Sequence, residues 1–169
     1  LFPLQRLVCG SPDYVARCGV PDSLAALAGH RCSVFRHPGT GKLAPWHLRQ
    51  DQQSIELPVT PAIISNDETL ELHAVLAGKV LGQLAGATAA PYLRAGKLVP
   101  VLLDYMPDIG NYFVYFGSRQ SQPARARAFV DLVVERLTDS ATFVLSPKEL
   151  AAARARLAKP ARAGRGKAG

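Results

Sequence analysis

The residues able to do chemistry in this 169-residue chain are three cysteines, four histidines and one glycine-rich loop. A thiolate near a helix N-terminus with an imidazole in reach makes a nucleophilic pair. Cys9, at the end of an apolar run, is therefore the natural nucleophile candidate, with His30, His37, His47 and His73 as possible bases. No spacing joins Cys9 to any one of them. Cys9, Cys18 and Cys32 are odd in number and form no CxxC pair. His30 and His37 are seven residues apart, and Cys32, two residues after His30, does not complete a ligand set with them. Neither a disulfide framework nor a metal site is expected, no cofactor is implied, and buried free thiols are the simpler reading.

The loop HPGTGKLAPW, residues 37–46, raises the question of phosphate binding. A phosphate-cradling loop of the form G-x-x-x-x-G-K-[ST] needs glycine where this chain has Arg36 and a hydroxyl where it has Leu43. Both defining positions fail. A turn that reverses the chain and lets Trp46 pack is the better expectation.

The net charge of +7 suggests an anionic partner until it is located along the chain. Residues 147–169 carry 7 Lys and Arg against 1 acidic residue, so the globular part is close to neutral. The basic end lacks aromatic residues on which bases could stack, which leaves a solvated terminus as the expectation. Lys79 and Arg94 interrupt the best apolar run before it reaches the roughly 18 residues a membrane span requires. With no basic-then-apolar leader either, a cytoplasmic protein without membrane contact is expected.

The elements that position these residues follow an α/β pattern. LQRLVCG reads as a strand, and Ser11 with Pro12 starts a helix behind it. Asp22 or Ser23 caps a short turn that puts Leu24 and Leu27 inward. CSVFR is a second strand, and WHL and SIELPV are two more, joined by the polar RQDQQS. Ser65 and Glu68 stand at capping-box spacing before a helix whose Leu70, Ala74, Ala77 and Leu81 share a face, with Gly78 as its stop. VLGQLA, LVPVLLDY and NYFVYFG are expected strands, and TAAPYLRAG a short helix or turn. QPARARAFVDLVVERL places Ala126, Phe129, Val130, Val133 and Leu137 on one helical stripe. Ser146 and Glu149 form a second capping box, beyond which the chain is expected to fray and become disordered.

Five blocks taken in order are similar to one family. LVCGSPDYVARCGVP, LAGHRCSVFRHPGTGKLAPWHL, SNDETLELHAVLAGKVLGQLAG, YLRAGKLVPVLLDY and ARARAFVDLVVERL resemble the effector-binding domain of LysR-type transcriptional regulators over about residues 4–140. The family commonly reads Gly-x-Gly where this chain has Gly78, Lys79 and Val80, and proline where it has Ala85.

The resemblance implies an α/β fold like type 2 periplasmic binding proteins: a lobe with a mixed sheet flanked by helices, its companion lobe only partly present. Residues 8–117 would form the effector-binding lobe. Residues 118–140 would be the segment and helix returning to the other lobe, and 141–169 a basic, disordered tail. Helix N-termini at Ser11 and Asn66 offer free N–H groups to an anionic inducer, and the family's pattern adds Phe35, Arg36, His37, Gln83, Leu84, Ala85 and Gly86 to the lining of the cleft. The inducer would be a small molecule, with organic acids the expected class. Promoter DNA would be bound through a winged helix-turn-helix N-terminal to these residues, in a homodimer or tetramer. On this reading the chain is a truncated sensor and not an enzyme. A small Cys/His enzyme and a transport-type solute-binding protein of the same fold are the alternatives.

Overall fold

The computed structural model of the chain describes residues 1–115, 123–138 and 140–158. Its frame is a three-stranded antiparallel sheet in the order β6-β1-β7, made of β6 (Gly82–Ala85), β1 (Arg6–Gly10) and β7 (Val99–Val101). Alternation along β1 separates two cores. Leu7 and Cys9 face one with Leu84, Leu93 and Leu98, while Val8 faces the other with Tyr14, Trp46 and Leu81. The parallel pair β2 (Cys32–Phe35) and β5 (Pro61–Ser65) continues the sheet beside β6 through a bridge between Cys32 and Leu81. Antiparallel and parallel pairings together make the expected mixed sheet.

Helix α1 (Pro12–Cys18) starts as expected, with Ser11 Oγ accepting the Tyr14 amide at 3.1 Å. Ser23 likewise accepts the Ala26 amide, at 3.3 Å, ahead of a 3-10 turn over Ala25–Gly29 that buries Leu27. The connection RQDQQS is shorter than its polarity suggests. Strands β3 (Trp46–Gln50) and β4 (Gln53–Leu57) run through it and turn on Asp51 and Gln52 alone, both at positive φ, the backbone that closes a two-residue hairpin.

Three expectations are corrected. Helix α2 (Glu68–Leu76) buries Glu71, Leu72 and Val75, whereas Leu70 is 54% exposed. Its face is set by the residues that reach β1 and β6, and Leu70 is on the other side. The strand through LVPVLLDY stops at Val101, because Leu102 takes φ +55 and opens a 3-10 turn over Leu103–Tyr105. Asn111–Tyr115 forms no strand and makes only a bridge from Asn111 to Pro3; the end of NYFVYFG lies outside the described residues. Helix α3 (Gly86–Arg94) accommodates Pro91 inside it.

The C-terminal third divides in two. Helix α4 (Ala124–Leu137) buries none of its residues. Helix α5 (Pro147–Ala155), in the segment expected to fray, carries the complete Ser146–Glu149 capping box and inserts Leu150 and Ala153 into the core that holds Leu7 and Leu84. The expected disordered tail therefore does not begin at 141. Lys159 and the residues after it lie outside the described part.

Candidate functional site

Strands β2, β5 and β6 point the same way, so Phe35, Ser65 and Ala85 emerge at one edge of the sheet. Antiparallel β1 begins at that edge, with Arg6 opposite Ala85. The crevice outside the carboxyl ends of strands is where open α/β sheets hold ligands. Here it contains a cavity of about 180 Å³. Arg6, Phe35 and His37 line it from the strand ends, Glu68 and Glu71 from the first turns of α2, and Trp46 and Gln83 from below.

Much of that wall is fixed by internal bonds. Gln83 clamps the hairpin by donating from Nε2 to the His47 carbonyl at 2.6 Å and accepting the His47 amide at 3.0 Å. The Trp46 indole N–H donates to the Ser33 carbonyl at 3.1 Å. Glu68 Oε1 accepts the Ala85 amide at 3.0 Å. Glu71 is held differently. Only 5% exposed, its carboxyl is pushed above the usual carboxylate range by burial and further by Glu68, with Ser33 and Arg6 acting in the opposite direction. The nearby Ser33 Oγ is buried, and no hydrogen bond of good geometry satisfies it.

The residues expected to line an inducer cleft divide among several places. Phe35, His37 and Gln83 meet in the cavity. Arg36 and Asn66 lie beside it with Gly41 and Ile64, around a shallower concavity to which His37 also contributes. Ser11 joins neither group. It caps α1 at the opposite end of β1, 3% exposed, and a side chain at Gly78 would come within 3.0 Å of its hydroxyl. Leu84 is sealed in the core, and the Ala85 amide is held by Glu68. A side chain at Gly86 would come within 2.6 Å of Gln5 Cβ, so this position is filled by packing. Asn66 does not start α2 either: Asp67 is the cap, accepting the Thr69 amide at 2.7 Å.

Sequence reasoning missed Arg6, Trp46, Glu68 and Glu71 as wall residues. The available signal was the i, i+3 spacing of Glu68 and Glu71, which puts two carboxylates on one helical face. Charge on the side of a helix normally reads as a solvated face.

The nucleophile candidate fails on its surroundings. Cys9 is fully buried and its thiol is pushed up to about 12 by desolvation, and burial likewise raises Cys32 to about 11. Neither supplies thiolate near neutral pH. His30 is engaged with the Tyr14 hydroxyl at 3.2 Å, away from Cys9's core. No group of three or more His, Cys, Asp or Glu suited to a metal occurs among the described residues, and no described helix is long and apolar enough to cross a membrane.

A mixed sheet flanked by helices, with a charged cavity at its carboxyl edge, defines a ligand-binding α/β lobe. Comparison with known proteins agrees. The LysR substrate binding domain family matches residues 1–138, and the chain belongs to that family. It is 35% identical over 131 residues to the uncharacterized HTH-type transcriptional regulator YcaN of Escherichia coli, covering 78% of this chain and 42% of that one. The putative LysR family substrate binding domain-containing protein YagP of the same organism is 32% identical over 108 residues, covering 63% of this chain and 78% of YagP. The solved regulatory domain of CrgA from Neisseria meningitidis superposes with a TM-score of 0.68 at 30% identity, covering 81% of this chain and 67% of that domain. Against regulators such as YcaN, the chain spans less than half the length of the curated relatives it matches.

Proposed function

We propose that this chain is the inducer-sensing part of a DNA-binding transcription regulator of the cytoplasm. On this reading residues 8–117 form the effector lobe, 118–140 lead to a companion lobe, and 141–169 is a basic C-terminal segment whose α5 packs into the core with Leu7 and Leu84. A small molecule enters the cavity at the carboxyl edge of β2, β5 and β6. By binding one lobe arrangement better than another, it shifts the population of an oligomer, a dimer or tetramer, bound to promoter DNA. A winged helix-turn-helix elsewhere in the whole protein makes the DNA contact. The observation that carries the proposal is the cavity itself: it sits where open α/β sheets place ligands, and it collects Phe35, His37 and Gln83 from distant parts of the sequence. Coupling, not catalysis, is its role. The two buried thiols are protonated, which weighs against a Cys9 enzyme.

The test is amide chemical-shift mapping of the 169-residue chain during titration with a library of small metabolites. The expected result is a saturable ligand whose shifts concentrate at residues 35–37 and 68–71. Turnover of any library member would replace the sensor reading with an enzyme. Saturable shifts centred elsewhere would move the site.

A further inference from the structure

Within the cavity most neutral hydrogen-bonding groups are already engaged, the exception being the His37 imidazole, which meets the Phe35 ring edge-on. The Gln83 amide is on the His47 backbone, the Trp46 indole on Ser33, and one Glu68 oxygen on Ala85. Beside that imidazole, the free groups are charged and of both signs: the Arg6 guanidinium, the Glu71 carboxyl and the second Glu68 oxygen. The Arg6 guanidinium makes no hydrogen bond or ion pair among the described residues, although its charge reaches Glu71. Glu71 is nearly buried, and the neighbouring Ser33 hydroxyl, which favours its ionised form, makes no hydrogen bond of good geometry.

Opposite charges that share a cavity without pairing are incomplete. A buried carboxylate is costly unless a cation and hydrogen-bond donors accompany it. Each simple ligand leaves part of the wall unmatched. A carboxylic acid would pair with Arg6, where charge-assisted bonds are strong, but would face repulsion from Glu68 and Glu71. An amine would pair with the two glutamates and sit beside the Arg6 cation. A molecule carrying both charges a bond or two apart matches both sides. Phe35, Ala44, Pro45 and Trp46 give the lining an apolar part beside His37 and His47, and about 180 Å³ leaves room for a small hydrocarbon side chain.

We propose that this cavity selects a small apolar α-amino acid, its ammonium held by Glu68 and Glu71 and its carboxylate by Arg6. This rests on the effector-site reading above and narrows the expected organic acids to those that also carry an ammonium group.

The test uses two matched series on the 169-residue chain: L-leucine with isocaproate and isoamylamine, and L-valine with isovalerate and isobutylamine. Titration calorimetry reports affinity and amide shifts report location. One amino acid of the two is expected to bind at least about tenfold tighter than its acid and its amine. In Glu71→Gln the advantage over the acid should disappear, and in Arg6→Gln the advantage over the amine. If Glu71→Gln does not fold, Glu68→Gln tests the same side. Acids binding as well as the amino acids, with shifts at Phe35 and Glu68, would overturn the amino-acid assignment and leave the effector site standing. Binding that moves only residues remote from this edge would overturn both. No binding by any of the six at millimolar concentration would overturn the amino-acid assignment.

Discussion

Helices α4 and α5 follow one another near the end of the chain, and their fates are opposite to their sequences. α4 is the longer and richer in large apolar residues, yet Phe129, Leu132 and Val134 are 66%, 49% and 42% exposed. α5, PKELAAARA, is mostly alanine and charge, yet its Leu150 and Ala153 are in the core. The difference lies in what receives each helix. Arg94 donates to the carbonyls of Ala141, Thr142 and Val144 at 2.5, 2.9 and 3.0 Å and to Glu149 at 2.9 Å. Gln5 exchanges two 2.9 Å hydrogen bonds with the Leu145 backbone. Polar fastening thus places Leu145 and Leu150 in the core that holds Leu7 and Leu84. An apolar stripe only states that a helix can be buried.

The comparison breaks most sharply at Leu150. Leu150→Ala removes a buried side chain from the core shared with Leu7 and Leu84 and should lower unfolding free energy by about 2–4 kcal/mol in urea titration. A loss no larger than that of an exposed α4 residue would mean α5 rests on the surface without supporting it.

Arg94→Ala should come next, at about 1–2 kcal/mol, because it frees three carbonyls and one carboxylate at a partly exposed site. Its signature is local. Hydrogen exchange should accelerate across residues 141–158 while β1 and β6 keep their protection. Uniform acceleration would show that the fastening cannot be separated from the lobe.

A smaller effect should follow pH. Hydrogen bonds from the Ser146 backbone, Arg94 and the Ser146 hydroxyl depress Glu149 from 4.5 to about 2. A carboxylate whose folded pKa is depressed contributes stability above its unfolded value and loses that contribution as pH falls through the folded one. Protection of α5 should therefore be constant above about pH 5 and decline between 4.5 and 2. Glu149→Gln should flatten that decline, and salt should weaken it, since the group is largely solvent-screened.

The two S-x-x-E patterns show how far such features are legible beforehand. Ser146 and Glu149 form the box their spacing predicts. Ser65 and Glu68, at the same spacing, do not, because Glu68 is drawn away to the Ala85 amide and Asp67 becomes the cap. Local pattern identified both helices, and a long-range partner decided the second cap. The same limit applies to the site. Phe35, His37 and Gln83 could be placed through family likeness, whereas Arg6 and Glu71 reach the cavity only because β1 begins where β2 ends and α2 rolls Leu70 outward. Ser11 falls outside the cavity for a related reason: the end of the sheet it caps depends on strand direction, which its own neighbourhood does not encode.

The smallest expected effect is at Phe129. An aromatic residue at the centre of an amphipathic helix is ordinarily worth several kcal/mol, and truncating a buried one costs about 3–5 kcal/mol. Here the ring is 66% exposed and α4 contributes no buried residue, so the transfer and cavity contributions that produce such losses are nearly absent. Alanine also favours the helix slightly more than phenylalanine does. Phe129→Ala should therefore change unfolding free energy by no more than about 0.5 kcal/mol in dilute solution. Repeating the measurement over rising protein concentration sharpens the contrast with α5. If the wild-type chain gains stability on concentration and Phe129→Ala does not, the exposed face is being covered by another copy. A large loss in dilute solution would instead show that Phe129 is buried within a single chain, and the distinction between the two helices would fail.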